Sequence, residues 1–223
     1  MEPEVTESSI GKAIEWAYEQ AVDGVAGTGT AQDLASEYLA GNNGDALAAA
    51  NSLIRWQNTK AATAGFLTGL GGILTLPVTV PANLASMLYL QLRMIAAIAH
   101  MGGHDIRDPR VKGLIYASLA GSAANQVLID AGLATANKLI GFGLGAITGP
   151  VLTKINTMVG AQIMKTAGKS SVVQLSKAIP GLGGIVGAVF DSAMTNTIGN
   201  LARDTFIVNL PASDEGTTDV ANP

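Results

Sequence analysis

Residues 61–103 read AATAGFLTGLGGILTLPVTVPANLASMLYLQLRMIAAIAHMGG, and Arg93 is the only formal charge among them. The second half, Ala82–Met101, carries Leu84, Met87, Leu88, Leu90, Leu92, Met94 and Ile95 with no internal proline or glycine, and it predicts a helix. The first half, Ala61–Leu76, predicts a Gly-rich apolar helix. Pro77-Val78-Thr79-Val80-Pro81 separates them. Proline disfavours helix at the residue before it, and three β-branched residues favour an extended link. The stretch is a helix–link–helix hairpin.

A bilayer core needs about 20 apolar helical residues. Ala61–Leu76 is short of that, and Ala82–Met101 places Gln91 and Arg93 near its middle. An arginine at mid-bilayer costs roughly 2.5–3.5 kcal/mol on insertion scales. A core hairpin, or one inserted shallowly, therefore fits better than two full spans.

Upstream, residues 1–60 are acidic. Glu2, Glu4, Glu7, Glu15, Glu19, Asp23, Asp33, Glu37 and Asp45 face only Lys12, Arg55 and Lys60. Ile10, Ile14, Ala17 and Ala21 recur at helical spacing, as do Leu34 with Tyr38, and Leu47, Ala50 and Ile54. Three amphipathic helices follow, joined by Gly24–Gly29 and by Gly41-Asn42-Asn43-Gly44.

Downstream, Gly102-Gly103-His104-Asp105 breaks the hairpin's second helix. Asp108-Pro109 restarts the chain, with Asp as N-cap and Pro at the first helical position. One helix is expected from about Pro109 to Asp130, ended by Gly132. Further helices are expected over 134–147, 151–166 and 172–178, with Gly168-Lys169-Ser170-Ser171 as a loop and Ile179-Pro180-Gly181-Leu182-Gly183 as a turn. A last helix runs to about Ile207. The expected fold is an all-α single domain of about eight helices with Gly-rich apolar central helices. It divides into an acidic helical layer (1–60), a helical core (61–207) and a disordered polar tail (208–223).

The whole chain has 223 residues, 13% charged, with mean hydropathy +0.34 and formal net charge −4. It is too apolar for a disordered protein and has no cysteine for a disulfide framework. Its acidity argues against nucleic acid as a partner. The opening Met1–Glu7 is acidic and polar, unlike a secretory leader, so a cytoplasmic address is expected.

Glycine spacing is the clearest chemical pattern. Gly65 and Gly69, Gly141 and Gly145, and Gly183 and Gly187 each stand four apart. Such pairs clear one helix face for close backbone approach, in a membrane or in a tight soluble core. With Pro77, Pro81 and Pro180 they are the candidate residues for lipid or partner contact. Arg93, His104, Asp105, Asp108 and Asp191 are the polar functional candidates. His100 and His104 have HxxxH spacing, but Gly102-Gly103 lies between them and spoils the shared helix face, so no metal site is assigned. Gly168-Lys169-Ser170 ends like a P-loop, yet Ile163 stands where the motif requires glycine. No cofactor is expected.

Two runs resemble the EcsC family. One is Gly65–Ile115, with the Pro77/Pro81 link, the Gly-Gly-His-Asp break and Asp108-Pro109. The other is Lys177–Phe206, where a Pro-Gly turn leads a Gly-rich helix bearing Asp191. The resemblance implies a bacterial, helical, membrane-associated protein and carries over no catalytic residue. The expected role is a non-enzymatic accessory protein, peripherally membrane-associated, with lipid or a membrane protein as partner and room for a homo-oligomer. Two alternatives stay open: a soluble helical hydrolase or metal-dependent enzyme using His104, Asp105, Asp108 and Asp191, and an acyl-chain-binding protein.

Overall fold

The computed structural model describes residues 6–25, 27–61, 82–133, 148–169 and 194–208. Three acidic helices come first: α1 (Glu7–Asp23), α2 (Ala31–Gly41) and α3 (Ala46–Ala61). Their starts follow from local chemistry. Thr6 and Ser9 cap α1 reciprocally, each side chain accepting from the other's backbone N–H. Thr30 and Asp33 do the same for α2. At α3 the Asp45 carboxylate accepts from the Ala48 N–H at 2.9 Å. Such caps satisfy N–H groups that the first turn leaves without partners.

α4 (Ala82–Met101) is the central element. Leu88, Tyr89, Leu92 and the run Met94–Ala99 are all buried, so its burial extends well beyond one stripe. α1, α2 and α3 pack on it. Ile10, Ala13, Ile14, Ala17 and Ala21 form the buried face of α1, as the helical spacing predicted. The acids of this layer ride mostly on the outer surface: Glu19, Asp23, Asp33, Glu37 and Asp45 are exposed.

After α4 come α5 (Pro109–Ser118), a 3-10 turn at Gly121–Ala123, α6 (Ala124–Asp130), α7 (Gly149–Lys169), α8 (194–203) and a π-helical turn at Asp204–Val208. The described residues are overwhelmingly helical and contain no strand, only an isolated bridge between Val25 and Gly29. The all-α expectation holds.

Three boundaries differ from the sequence reading. The helix expected over 109–130 is broken, because Gly121 takes φ +56, a left-handed conformation that interrupts a helix. The chain turns there beneath Thr197 and Ile198 of α8. The helix expected over 151–166 is longer at both ends. Pro150 sits in its first turn, where a missing N–H is tolerated, and Gly168 and Lys169, read as loop, are helical. The last helix changes to π geometry at Asp204, where the Phe206 carbonyl meets the turn after α4. The helices expected at 61–76, 134–147 and 172–178, the link at 77–81, the turn at 179–183 and the tail lie outside the described residues, apart from Ala61, which closes α3.

Candidate functional site

α4 is largely apolar; its Tyr89, Gln91 and Arg93 side chains meet defined partners, while the buried Ser86 hydroxyl has none among the described residues. Arg93 reaches across to the loop between α1 and α2. Its Nη2 donates to the Thr28 carbonyl and, at 3.4 Å, to the Thr30 carbonyl, while its Nε is buried without a partner. One turn earlier, the Tyr89 hydroxyl lies 2.6 Å from Thr28 Oγ1. Gly24, Gly27 and Gly29 have φ of +87, +86 and +67, which lets the loop fold tightly enough to present these carbonyls. Gln91, buried, donates to Thr195 Oγ1 at 2.6 Å. The one charge on the hairpin thus finds a polar partner, and that partner is backbone. Asp191, the other residue considered for it, lies outside the described residues.

The turn after α4 holds three further candidates. Nε2 of His104 is 3.0 Å from the Phe206 carbonyl, and the two rings meet edge to face at 5.4 Å. Gly102 is required beside them, since a Cβ there would sit 2.1 Å from the Phe206 carbonyl oxygen. Asp105 accepts from the Arg107 N–H at 2.9 Å. Asp108 accepts from the Arg110 N–H at 2.8 Å, the expected N-cap, and both of its oxygens also receive the Arg110 guanidinium. Hydrogen bonds from Arg110 hold the Asp108 carboxyl down to about 2. Each of the three side chains is engaged by a different backbone group. Among the described residues no group of three or more His, Asp or Glu side chains is placed to hold a metal ion. Gly65, Gly69, Pro77, Pro81, Gly141, Gly145, Pro180, Gly183 and Gly187 lie outside the described residues.

A polar network between α1 and α5 is the feature that sequence reasoning missed. Glu15 accepts from the Tyr116 hydroxyl at 2.7 Å and pairs with the Lys112 ammonium. That ammonium stands 4.7 Å from the centre of the Tyr18 ring and 5.6 Å from that of Tyr116, and the two rings are T-shaped at 5.4 Å. The Tyr18 hydroxyl donates to the Ile106 carbonyl. Burial first, and the Glu15 carboxylate second, push both phenols above their ordinary range. Both therefore stay protonated donors at neutral pH. The only sequence signal was spacing: Glu15 with Tyr18, and Lys112 with Tyr116, each fall on one helix face.

Beside this network an open groove of about 640 Å³ runs between α1 and α7. Thr6, Ser8, Lys12, Glu15, Thr153 and Thr157 line it. At its floor Asn156 Nδ2 donates to the Gly11 carbonyl at 3.2 Å. A Cβ at Gly11 would stand at ordinary contact distance, 3.7 Å, from Asn156 Oδ1.

The EcsC protein family model matches residues 3–208, so the match takes in the acidic helices as well as the apolar centre. No curated protein and no solved structure matches the chain.

Proposed function

The chain belongs to the EcsC family, and from that premise we propose that it is a non-enzymatic accessory protein on the cytoplasmic face of a membrane. It holds peripherally to lipid, or to a protein within the membrane, through its low-charge Gly-rich stretches. The observation that carries this reading is the distribution of charge. Residues 62–81, 134–147 and 170–193 contain only Lys138, Lys177 and Asp191 as formal charges. Apolar sequence of that extent is favourable to remove from water, by roughly 25 cal/mol per Å² of apolar surface.

α4 is not the membrane contact in this reading. Leu84–Met101 is long and apolar enough to cross a bilayer, with mean hydropathy 1.3, but 72% of it is buried inside the fold. Its apolar surface is already occupied by α1, α2 and α3. Association through the other apolar stretches leaves this core intact, which is why the attachment is peripheral.

Flotation of the purified full-length chain with phospholipid vesicles tests the reading. The protein is expected to rise with vesicles. Recovery entirely in the vesicle-free fraction, for neutral and anionic lipid alike, overturns it.

A further inference from the structure

The overall charge of −4 hides a segregation. Residues 1–60 carry nine acids against three bases, and residues 208–223 carry three acids and no base. Residues 61–207 carry ten bases against five acids, a surplus of five positive charges. The part of the chain that holds the low-charge stretches is therefore cationic.

α7 concentrates some of that surplus on one face. Ile155, Val159 and Ile163 are its buried side. Lys154 and Lys165 are exposed. They lie eleven residues apart, three turns within about 20° of the same direction. Val151 and Met158, packed against the core on one side and partly exposed on the other, border that stripe. Lys12 of α1 adds a third exposed ammonium across the groove, where Ser8, Thr153 and Thr157 supply hydroxyls. Glu15, the acid in the groove, is already ion-paired with Lys112 and accepts a hydrogen bond from Tyr116. Among the described residues no acidic group lies within ion-pair distance of Lys12, Lys154 or Lys165.

From this we infer that the outer face of α7, with Lys12 beside it, is a docking surface for the headgroups of an anionic phospholipid bilayer. Two features favour a bilayer over other polyanions. Apolar Val151 and Met158 alternate with the lysines, the pattern of a helix lying in the interfacial plane with long cationic side chains reaching to phosphates. In sequence, α7 is also bracketed by two of the low-charge stretches, 134–147 and 170–193. The inference rests on the membrane reading above and specifies its lipid and its surface.

The test compares vesicles of phosphatidylcholine alone with vesicles of phosphatidylcholine and phosphatidylglycerol, using the full chain and the double variant Lys154→Glu/Lys165→Glu. The wild type is expected to bind the anionic vesicles more tightly by at least about tenfold at low salt, since each lysine near such a surface contributes about fivefold. High salt should remove the margin. The double variant, folded by circular dichroism, should lose the preference and keep the binding to phosphatidylcholine. Equal binding of the wild type to both vesicles, or a preference that survives charge reversal, overturns the inference and leaves peripheral association standing. Absence of binding to either vesicle overturns both. A change of oligomeric state in vesicle-free solution on reversing the two lysines would give the face to a second copy of the chain, and the lipid assignment would fall.

Discussion

α4 and α7 are almost the same length, 20 and 21 residues, and lead opposite lives. α4 has one arginine and is enclosed by other helices. α7 carries three lysines, of which Lys154 and Lys165 are exposed on its outer face, while Ile155, Val159 and Ile163 face inward. By composition α4 resembles a membrane span and α7 a surface helix of a soluble protein. In the fold, the apolar helix is enclosed by other helices, and the mixed helix keeps one face toward solvent. Apolarity measures how much of a helix is covered, and the cover here is protein.

The largest effect that sharpens this contrast is loss of a side chain from α4. Ile95→Ala should cost about 2–5 kcal/mol in chemical denaturation, the usual range for emptying a packed aliphatic site. Lys154→Ala on α7 should stay within about 0.5 kcal/mol. Comparable losses at the two positions would break the contrast.

Removing the charge on α4 discriminates by sign. Arg93→Met should destabilise by about 1.5–3 kcal/mol, because the Thr28 carbonyl loses a charged donor. If α4 instead faced lipid, deleting its only formal charge would stabilise the membrane-bound form. Thermal melts with and without vesicles distinguish the two.

At the end of α4, Gly102→Ala should cost about 1–3 kcal/mol, since the new methyl would meet a backbone carbonyl rather than a yielding side chain. A melt unchanged from wild type would mean that α4 and the π-helical turn are further apart than described.

The smallest effect concerns the restart beyond α4. Asp108→Ala should cost about 0.5–2 kcal/mol as a lost cap. Its carboxyl titrates lower in the folded chain than the ordinary 3.8. The stabilisation is therefore complete above that ordinary value and disappears as pH falls toward about 2. Asp108→Asn should flatten the acid limb of a stability profile over that window. An acid limb identical to wild type would remove the carboxylate from the account.

The fold was readable wherever residues signal locally. The spacing of Ile10, Ile14, Ala17 and Ala21 gave a face, Asp108-Pro109 gave a start, and Gly102-Gly103 gave a stop. The break at Gly121 was not legible because an isolated glycine is tolerated in helices, and nothing in the neighbouring residues marks the left-handed turn it takes. The site was less legible. Arg93 was identified as needing a partner, yet backbone carbonyls at Thr28 and Thr30 leave no mark in side-chain chemistry. Glu15, Tyr18, Lys112 and Tyr116 form one network from two helices that are far apart in sequence. Periodicity assigns each residue to a face and is silent about which faces meet.

The hydrogen bond from Asn156 to the Gly11 carbonyl joins groups 145 residues apart. During synthesis at roughly 5–20 residues per second, α1 emerges on the order of 10–30 s before its α7 partner exists. Its Ile10, Ala13, Ile14 and Ala17 face has to wait in water for that interval. Part of the wait ends earlier, when α4 arrives, but the α7 side of the helix is completed late. Nine acids against three bases make residues 1–60 the most highly charged part of the chain, so the segment that waits longest for its cover is also the one whose net charge most favours solubility.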